Sequence, residues 1–155
     1  MKAVIQRVKE ASVTVDGKTV GVCKEGYMIL YCAVDGDTRE DISLLARKVA
    51  NLRVFCDNED KMNLSILDVK GEILCISQFT LAADTKKGNR PSFISAMKPD
   101  VASEYYDIFC QELLNNGVER VEKGIFGADM KVSLVNDGPV TIILDTDVWK
   151  RKENI

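Results

Sequence analysis

The segment Ile73-Leu74-Cys75-Ile76 is apolar at four consecutive positions. Successive side chains of a strand point to opposite faces, so a strand of this composition needs apolar cover on both. It predicts a central strand over Glu72 to Phe79. Tyr27 to Val34 is a second, nearly continuous apolar run and predicts another buried strand. With 155 residues, the chain has the length of one domain able to supply both covers.

The flanking sequence supplies candidates. Lys2 to Val8 and Ala11 to Val15 read as strands, and Asp16-Gly17 is a hairpin signal with Lys18 to Cys23 returning. Thr38 offers a helix N-cap, with Asp41 three residues on. Ile42, Leu45, Ala46, Val49 and Leu52 then fall on one helical face. Arg53-Val54-Phe55 follows as a strand, and Ala82 to Met97, with Gly88 and Pro91, as a long loop of the kind that often carries function. Lys98-Pro99-Asp100 opens a second helix with an apolar stripe of Val101, Tyr105, Ile108, Phe109 and Leu113, closed by Asn115-Asn116-Gly117. Strands at Lys131 to Val135 and Val140 to Leu144 flank Asn136-Asp137-Gly138-Pro139, whose composition is that of a tight turn. No repeat or linker interrupts the chain. The expected architecture is α+β: a curved, mostly antiparallel sheet or β-barrel with two packed helices, as a single domain over residues 1–155.

Composition narrows the chemistry. There is no histidine, so Ser-His-Asp and Cys-His units are excluded. The five cysteines (Cys23, Cys32, Cys56, Cys75, Cys110) are widely spaced, form no CxxC, and mostly adjoin apolar residues. They read as buried free thiols in a reducing cytoplasm, with neither metal nor cofactor expected. No apolar run approaches the ~20 residues of a membrane span. The N-terminus has a charge within its first apolar stretch and reads as a strand, not a signal peptide.

Net charge is −3, which is not the footprint of a general nucleic-acid binder. Local basic groups do occur: Lys86, Lys87 and Arg90 around Gly88, and Lys150-Arg151-Lys152 at the end. As groups that could meet RNA phosphates, they compete with the plainer reading of a solvated loop and tail.

Two segments stand out as candidates for chemistry. Ser77-Gln78-Phe79-Thr80 lies where the central strand opens onto the long loop. Gly138-Pro139 contains an X-Pro bond, one of the few that can be cis at modest cost. On the residues alone, a capped strand end and a tight turn are the plainer readings of the two, ahead of a site.

Taken in order, the motifs carry more. Gln6-Arg7-Val8, Ala11-Ser12-Val13, Lys61-Met62-Asn63-Leu64, Ser77 to Thr85, Arg90-Pro91-Ser92-Phe93, Gly127-Ala128-Asp129-Met130 and Val132 to Thr141 together span almost the whole chain. In this order and spacing they resemble the D-aminoacyl-tRNA deacylases, hydrolases of carboxylic esters that remove D-amino acids from mischarged tRNA. The resemblance implies a homodimer in which a cis Gly138–Pro139 bond enters the opposite subunit's active site as a chirality filter. It would face Ser77, Gln78, Phe79 and Thr80 there, with Arg7 bracing the arrangement. It further implies that Phe126 and Met130 help hold the terminal adenosine and that Ala102 forms part of the pocket wall. The expected partners are tRNA carrying a D-amino acid or glycine, with no membrane.

The lack of histidine suits such a reaction. An aminoacyl ester with a vicinal ribose hydroxyl is already activated, so backbone donors at the developing oxyanion would suffice, each worth roughly 3–4 kcal/mol. Thr80 as a covalent nucleophile is the rival, but it would need an adjacent base. A non-enzymatic single-strand-binding module is the alternative class. It would favour exposed aromatics on a basic groove, whereas aromatics are only 6% here.

Overall fold

The computed structural model describes residues 1–150, so Arg151 and Lys152 of the terminal basic run lie outside the described residues. The chain runs through β1 (Lys2–Val15), β2 (Lys18–Cys23), β3 (Gly26–Cys32), α1 (Arg39–Asn51), β4 (Arg53–Cys56), β5 (Met62–Ser65), β6 (Glu72–Ser77), α2 (Pro99–Asn115), β7 (Val121–Lys123) and β8 (Lys131–Asp145). The strand order is β2-β1-β3-β6-β7, with β8 along β1 and β4–β5 forming a separate hairpin. β1 is antiparallel to β2, β3 and β8, while β3–β6 and β6–β7 are parallel. The sheet curls until β2 meets β7. The Val22 N–H donates to Glu122 Oε1 at 3.1 Å. A Cβ at Gly21 would lie 2.7 Å from the Lys123 carbonyl oxygen, so only glycine permits this approach. The result is the α+β, nearly closed barrel with two packed helices that the patterning predicts.

The apolar run in β6 is covered on both faces. Ile73 and Cys75 join Ile5, Tyr27, Ile29 and Tyr31 against Ile42, Leu45, Val49, Phe109 and Leu113 of the helices. Leu74 and Ile76 point into the barrel with Val8, Ala11, Val13, Cys23 and Met28. Full burial of such a side chain contributes roughly 1.5–3 kcal/mol, which makes this strand the anchor of both layers.

Helix α1 starts as its sequence dictates: the Thr38 N–H donates to Asp41 Oδ2 at 2.8 Å. The stripe of α2 is rotated from the expected one. Tyr106, Phe109, Cys110 and Leu113 are buried, while Val101 is exposed. Tyr106 turns the helix toward the sheet, where its hydroxyl donates to the Cys75 carbonyl. Four cysteines are buried and free, and Cys56 is exposed. No helix among the described residues is long and apolar enough to cross a membrane.

Two expected boundaries are corrected. Lys2–Val8 and Ala11–Val15 form one strand, and Asn136-Asp137-Gly138-Pro139 is not a turn between strands. β8 runs through it, because both halves of β8 pair with the same continuous β1. Between the pairs Gln6↔Thr141 and Glu10↔Val135, residues 7–9 of β1 face residues 136–140 of β8. The surplus on β8 is absorbed as a bulge. Strands β5 and β7 are short and carry little periodic signal, which is why the sequence does not announce them.

Candidate functional site

β6 ends at Ser77, and Phe79–Ala82 forms a turn of 3-10 helix instead of continuing the strand. Its first i→i+3 bond is Leu81 N–H to the Gln78 carbonyl at 3.2 Å. The N–H groups of Phe79 and Thr80 precede that bond and have no acceptor within the turn. The Gln78 N–H donates to the Tyr31 carbonyl at 2.7 Å, which fixes the turn to β3.

Two cavities open beside this turn. The larger, about 430 Å³, has an apolar wall of Phe79, Phe93, Met97, Ala102 and Phe126, with Lys98 at its edge. The smaller, about 260 Å³, is lined by Gln78, Asp129, Met130 and Val132 among others. Ser77, Phe79, Phe126 and Gly127 line both, so the two are neighbouring compartments of one site. Phe79 is 56% exposed yet is held edge-on to Phe93 at 5.3 Å between ring centroids. A large apolar side chain left open to solvent beside a cavity suits a flat ligand face.

Of the residues expected here, Ser77, Gln78, Phe79, Ala102, Phe126 and Met130 are brought together by the fold. Thr80 lines neither cavity, and its Oγ1 receives the Gln78 side-chain amide at 2.6 Å. An amide donor is not a base, so the hydroxyl lacks the neighbour a nucleophile needs. Cys32 lines the larger cavity, but burial pushes its thiol up and holds it protonated. Sequence reasoning missed Met97, Ala96 and Tyr31 as lining residues. Met97 is held by its N–H bonding to the Ala33 carbonyl at 3.1 Å, and nothing in the sequence signals that pairing.

Arg7, Gly138 and Pro139 form a separate cluster. Arg7 is buried, its Nε donating to the Asp137 carbonyl at 2.9 Å and its Nη1 to the Val54 carbonyl. It therefore clamps the β8 bulge to β4 across β1. The Gly138–Pro139 bond is cis, and Gly138 has φ +133°. Both residues lie toward solvent, and neither lines either cavity of its own chain. Lys86, Lys87 and Arg90 are exposed in a loop closed by the Asp84↔Ser92 bridge.

A family model described as D-Tyr-tRNA(Tyr) deacylase matches residues 4–145. A solved structure titled "c-Myc DNA Unwinding Element Binding Protein" is similar over 94% of this chain and 98% of its own, at 43% identity and a TM-score of 0.88. Another, titled "Structural Analysis of a probable eukaryotic D-amino acid tRNA deacylase", shares the fold at 20% identity and a TM-score of 0.79, covering 92% of this chain and 97% of its own.

Proposed function

This chain belongs to the D-Tyr-tRNA(Tyr) deacylase family, hydrolases acting on the ester bond of aminoacyl-tRNA, and we propose that it removes D-amino acids and glycine from tRNA at a site completed by a second copy of itself. The observation that carries the cross-subunit reading is where Gly138–Pro139 sits. It lies on β8, which pairs only with β1 among the described residues and leaves its other edge open. A long open edge bearing Val135 and Ile143, 50% and 77% exposed, calls for cover. A second copy laid along β8 covers it and carries the Gly138–Pro139 bulge to the Ser77–Thr80 turn opposite.

In this mechanism the terminal adenosine rests against Phe126 and Met130, with Ala102 in the wall. The ester carbonyl faces the N–H groups of Phe79 and Thr80, which stabilise the oxyanion as water attacks. The ribose hydroxyl next to the ester assists, and the acyl–oxygen bond breaks to release the free amino acid. The carbonyls of the second copy's Gly138–Pro139 bulge stand where an L side chain would lie. Rejecting L-substrates by 10⁴ takes about 5.5 kcal/mol, more than small apolar contacts supply. A peptide plane cannot rotate away as a side chain can, so a collision with it can reach that figure. Such a wall leaves the D direction open and also passes glycine. The decisive assay is release of D-tyrosine and glycine, but not L-tyrosine, from charged tRNA with the cysteines blocked and EDTA present. Release of a single D-amino acid only would contradict the backbone wall.

Two further outcomes follow from the site. Thr80→Ala should keep deacylation within about threefold of wild type, since the 80 N–H survives and one exposed hydroxyl is removed. A trapped acyl-enzyme in wild type, abolished by that substitution, would establish the covalent route instead. Changing Lys86, Lys87 and Arg90 together to glutamine should raise KM for tRNA with kcat held. It should also flatten the salt dependence by about one unit of slope for each phosphate no longer neutralised. A KM that does not move between roughly 50 and 200 mM salt would remove these side chains from the RNA path.

A further inference from the structure

We propose that the outer face of α1 and the start of β4 form a second phosphate-binding surface, which holds the duplex stem of the tRNA behind the end that enters the cavity. It rests on the deacylase reading above and adds to it a surface remote from the catalytic turn.

Arg47, Lys48 and Arg53 are exposed and, with Leu44, Asn51 and Leu52, line a shallow groove of about 540 Å³. A neighbouring depression shares Leu44 and Arg47 and extends the surface to Arg39, Glu40 and Ser43, so the purely basic part is the first groove. The ion pairs of this region are Arg39–Glu104, Lys150–Asp41 and Lys150–Asp147. Among the described residues, Arg47, Lys48 and Arg53 thus have no carboxylate partner. In a chain of net charge −3, three such cations in a groove with no acidic lining residue concentrate positive charge there. Compensation of the helix dipole accounts for Lys48 in the last turn of α1. It does not account for Arg53, which lies beyond the helix on β4. Lys48 Nζ stands 5.2 Å from the centre of the Trp149 ring, which restrains its long side chain in advance of binding. Two guanidinium groups beside it suit the forked geometry of phosphate oxygens.

The placement fits a nucleic acid threaded from the cavity. Pro99 and Ala102 of α2 line the cavity, and Glu104 of the same helix pairs with Arg39 at the start of α1. From Arg39 the helix rises about 12 Å to Arg47 and about 18 Å to Asn51. A duplex advances about 3.4 Å per nucleotide of each strand, so a strand laid along α1 reaches the groove about four to five nucleotides beyond Arg39, itself tied to the helix that lines the cavity. That is stem, not the terminal nucleotide.

The test uses the full chain carrying Arg47→Gln and Arg53→Gln, alone and with Lys48→Gln. The double variant leaves Lys48 over Trp149 and guards against loss of fold, which a thermal melt checks in both. Binding of deacylated tRNA is titrated from roughly 50 to 200 mM salt, and hydrolysis of the D-tyrosyl ester of adenosine is measured alongside. The expected result for the triple variant is a slope of log K against log salt shallower by about two to three units, and affinity at about 50 mM salt weaker by at least about tenfold. The short ester should be hydrolysed at the wild-type rate, and Arg47→Lys with Arg53→Lys should restore most of the slope. Unchanged tRNA affinity and slope in folded protein would overturn the proposal. So would an effect confined to duplex DNA or to anionic phosphatidylserine vesicles. Because the binding arm uses deacylated tRNA, it reads this surface independently: wild-type protein that binds tRNA through the groove but releases no D-tyrosine would contradict the deacylase reading alone.

Discussion

Replacing Gly138 by alanine should lower D-aminoacyl-tRNA deacylation by at least about a hundredfold and narrow the ratio of D to L rates. Two independent facts give this size. Gly138 sits at φ +133°, a conformation that costs an L-residue of order 1–3 kcal/mol. An alanine Cβ there would also lie 2.8 Å from Arg7 Nη2 and 3.1 Å from the Val140 backbone nitrogen. The guanidinium is clamped on two sides and the Val140 nitrogen is backbone, so the bulge must move. The proposed wall of two carbonyls against a side chain would tolerate little movement: about 2.8 kcal/mol of poorer positioning is already a hundredfold. The readouts are rates on D- and L-tyrosyl-tRNA, with a urea midpoint to separate misplacement from unfolding. A folded variant that keeps the wild-type D rate and still rejects L-tyrosine would mean that Gly138 does not hold the filter.

Removing the Arg7 guanidinium should be the more damaging change to stability. Arg7→Met keeps the apolar stem but deletes the donors to the Asp137 carbonyl and to the Val54 carbonyl. Each acceptor left unpaired costs about 1–3 kcal/mol, so a drop of about 3 kcal/mol in urea unfolding is expected. Arg7→Lys should recover little, because one ammonium on a flexible stem cannot address carbonyls of two different strands in the fixed fork of a guanidinium. Deacylation should fall in both variants, since the bulge then has no tie to β4. Wild-type stability in Arg7→Met would show that the clamp is not needed to hold β8. Gly138→Ala and Arg7→Met should not add when combined, because each disturbs the same junction of Arg7 with the bulge.

Local sequence accounts for most of the layers. Ile73-Leu74-Cys75-Ile76 requires cover on both faces, and the helix starts at Thr38 and Pro99 follow from capping chemistry that needs no distant partner. The candidate residues Ser77, Gln78, Phe79, Ala102, Phe126 and Met130 are likewise legible, through the order of motifs along the chain. How those pieces are used depends on tertiary structure. Asn136-Asp137-Gly138-Pro139 has the composition of a turn. It is instead a bulge in a single strand, because β1 offers both halves of β8 one continuous partner. Arg7 carries no sequence signal of burial, and only the meeting of β1, β4 and β8 gives its guanidinium two carbonyls to hold. The strand expected to reach Phe79 stops at Ser77, where a 3-10 turn leaves two N–H groups without an acceptor in the turn and sends the Thr80 hydroxyl to Gln78. Each of these outcomes depends on which backbone lies alongside, and backbone neighbours are set by the whole fold, whereas periodicity and capping are fixed within a few residues.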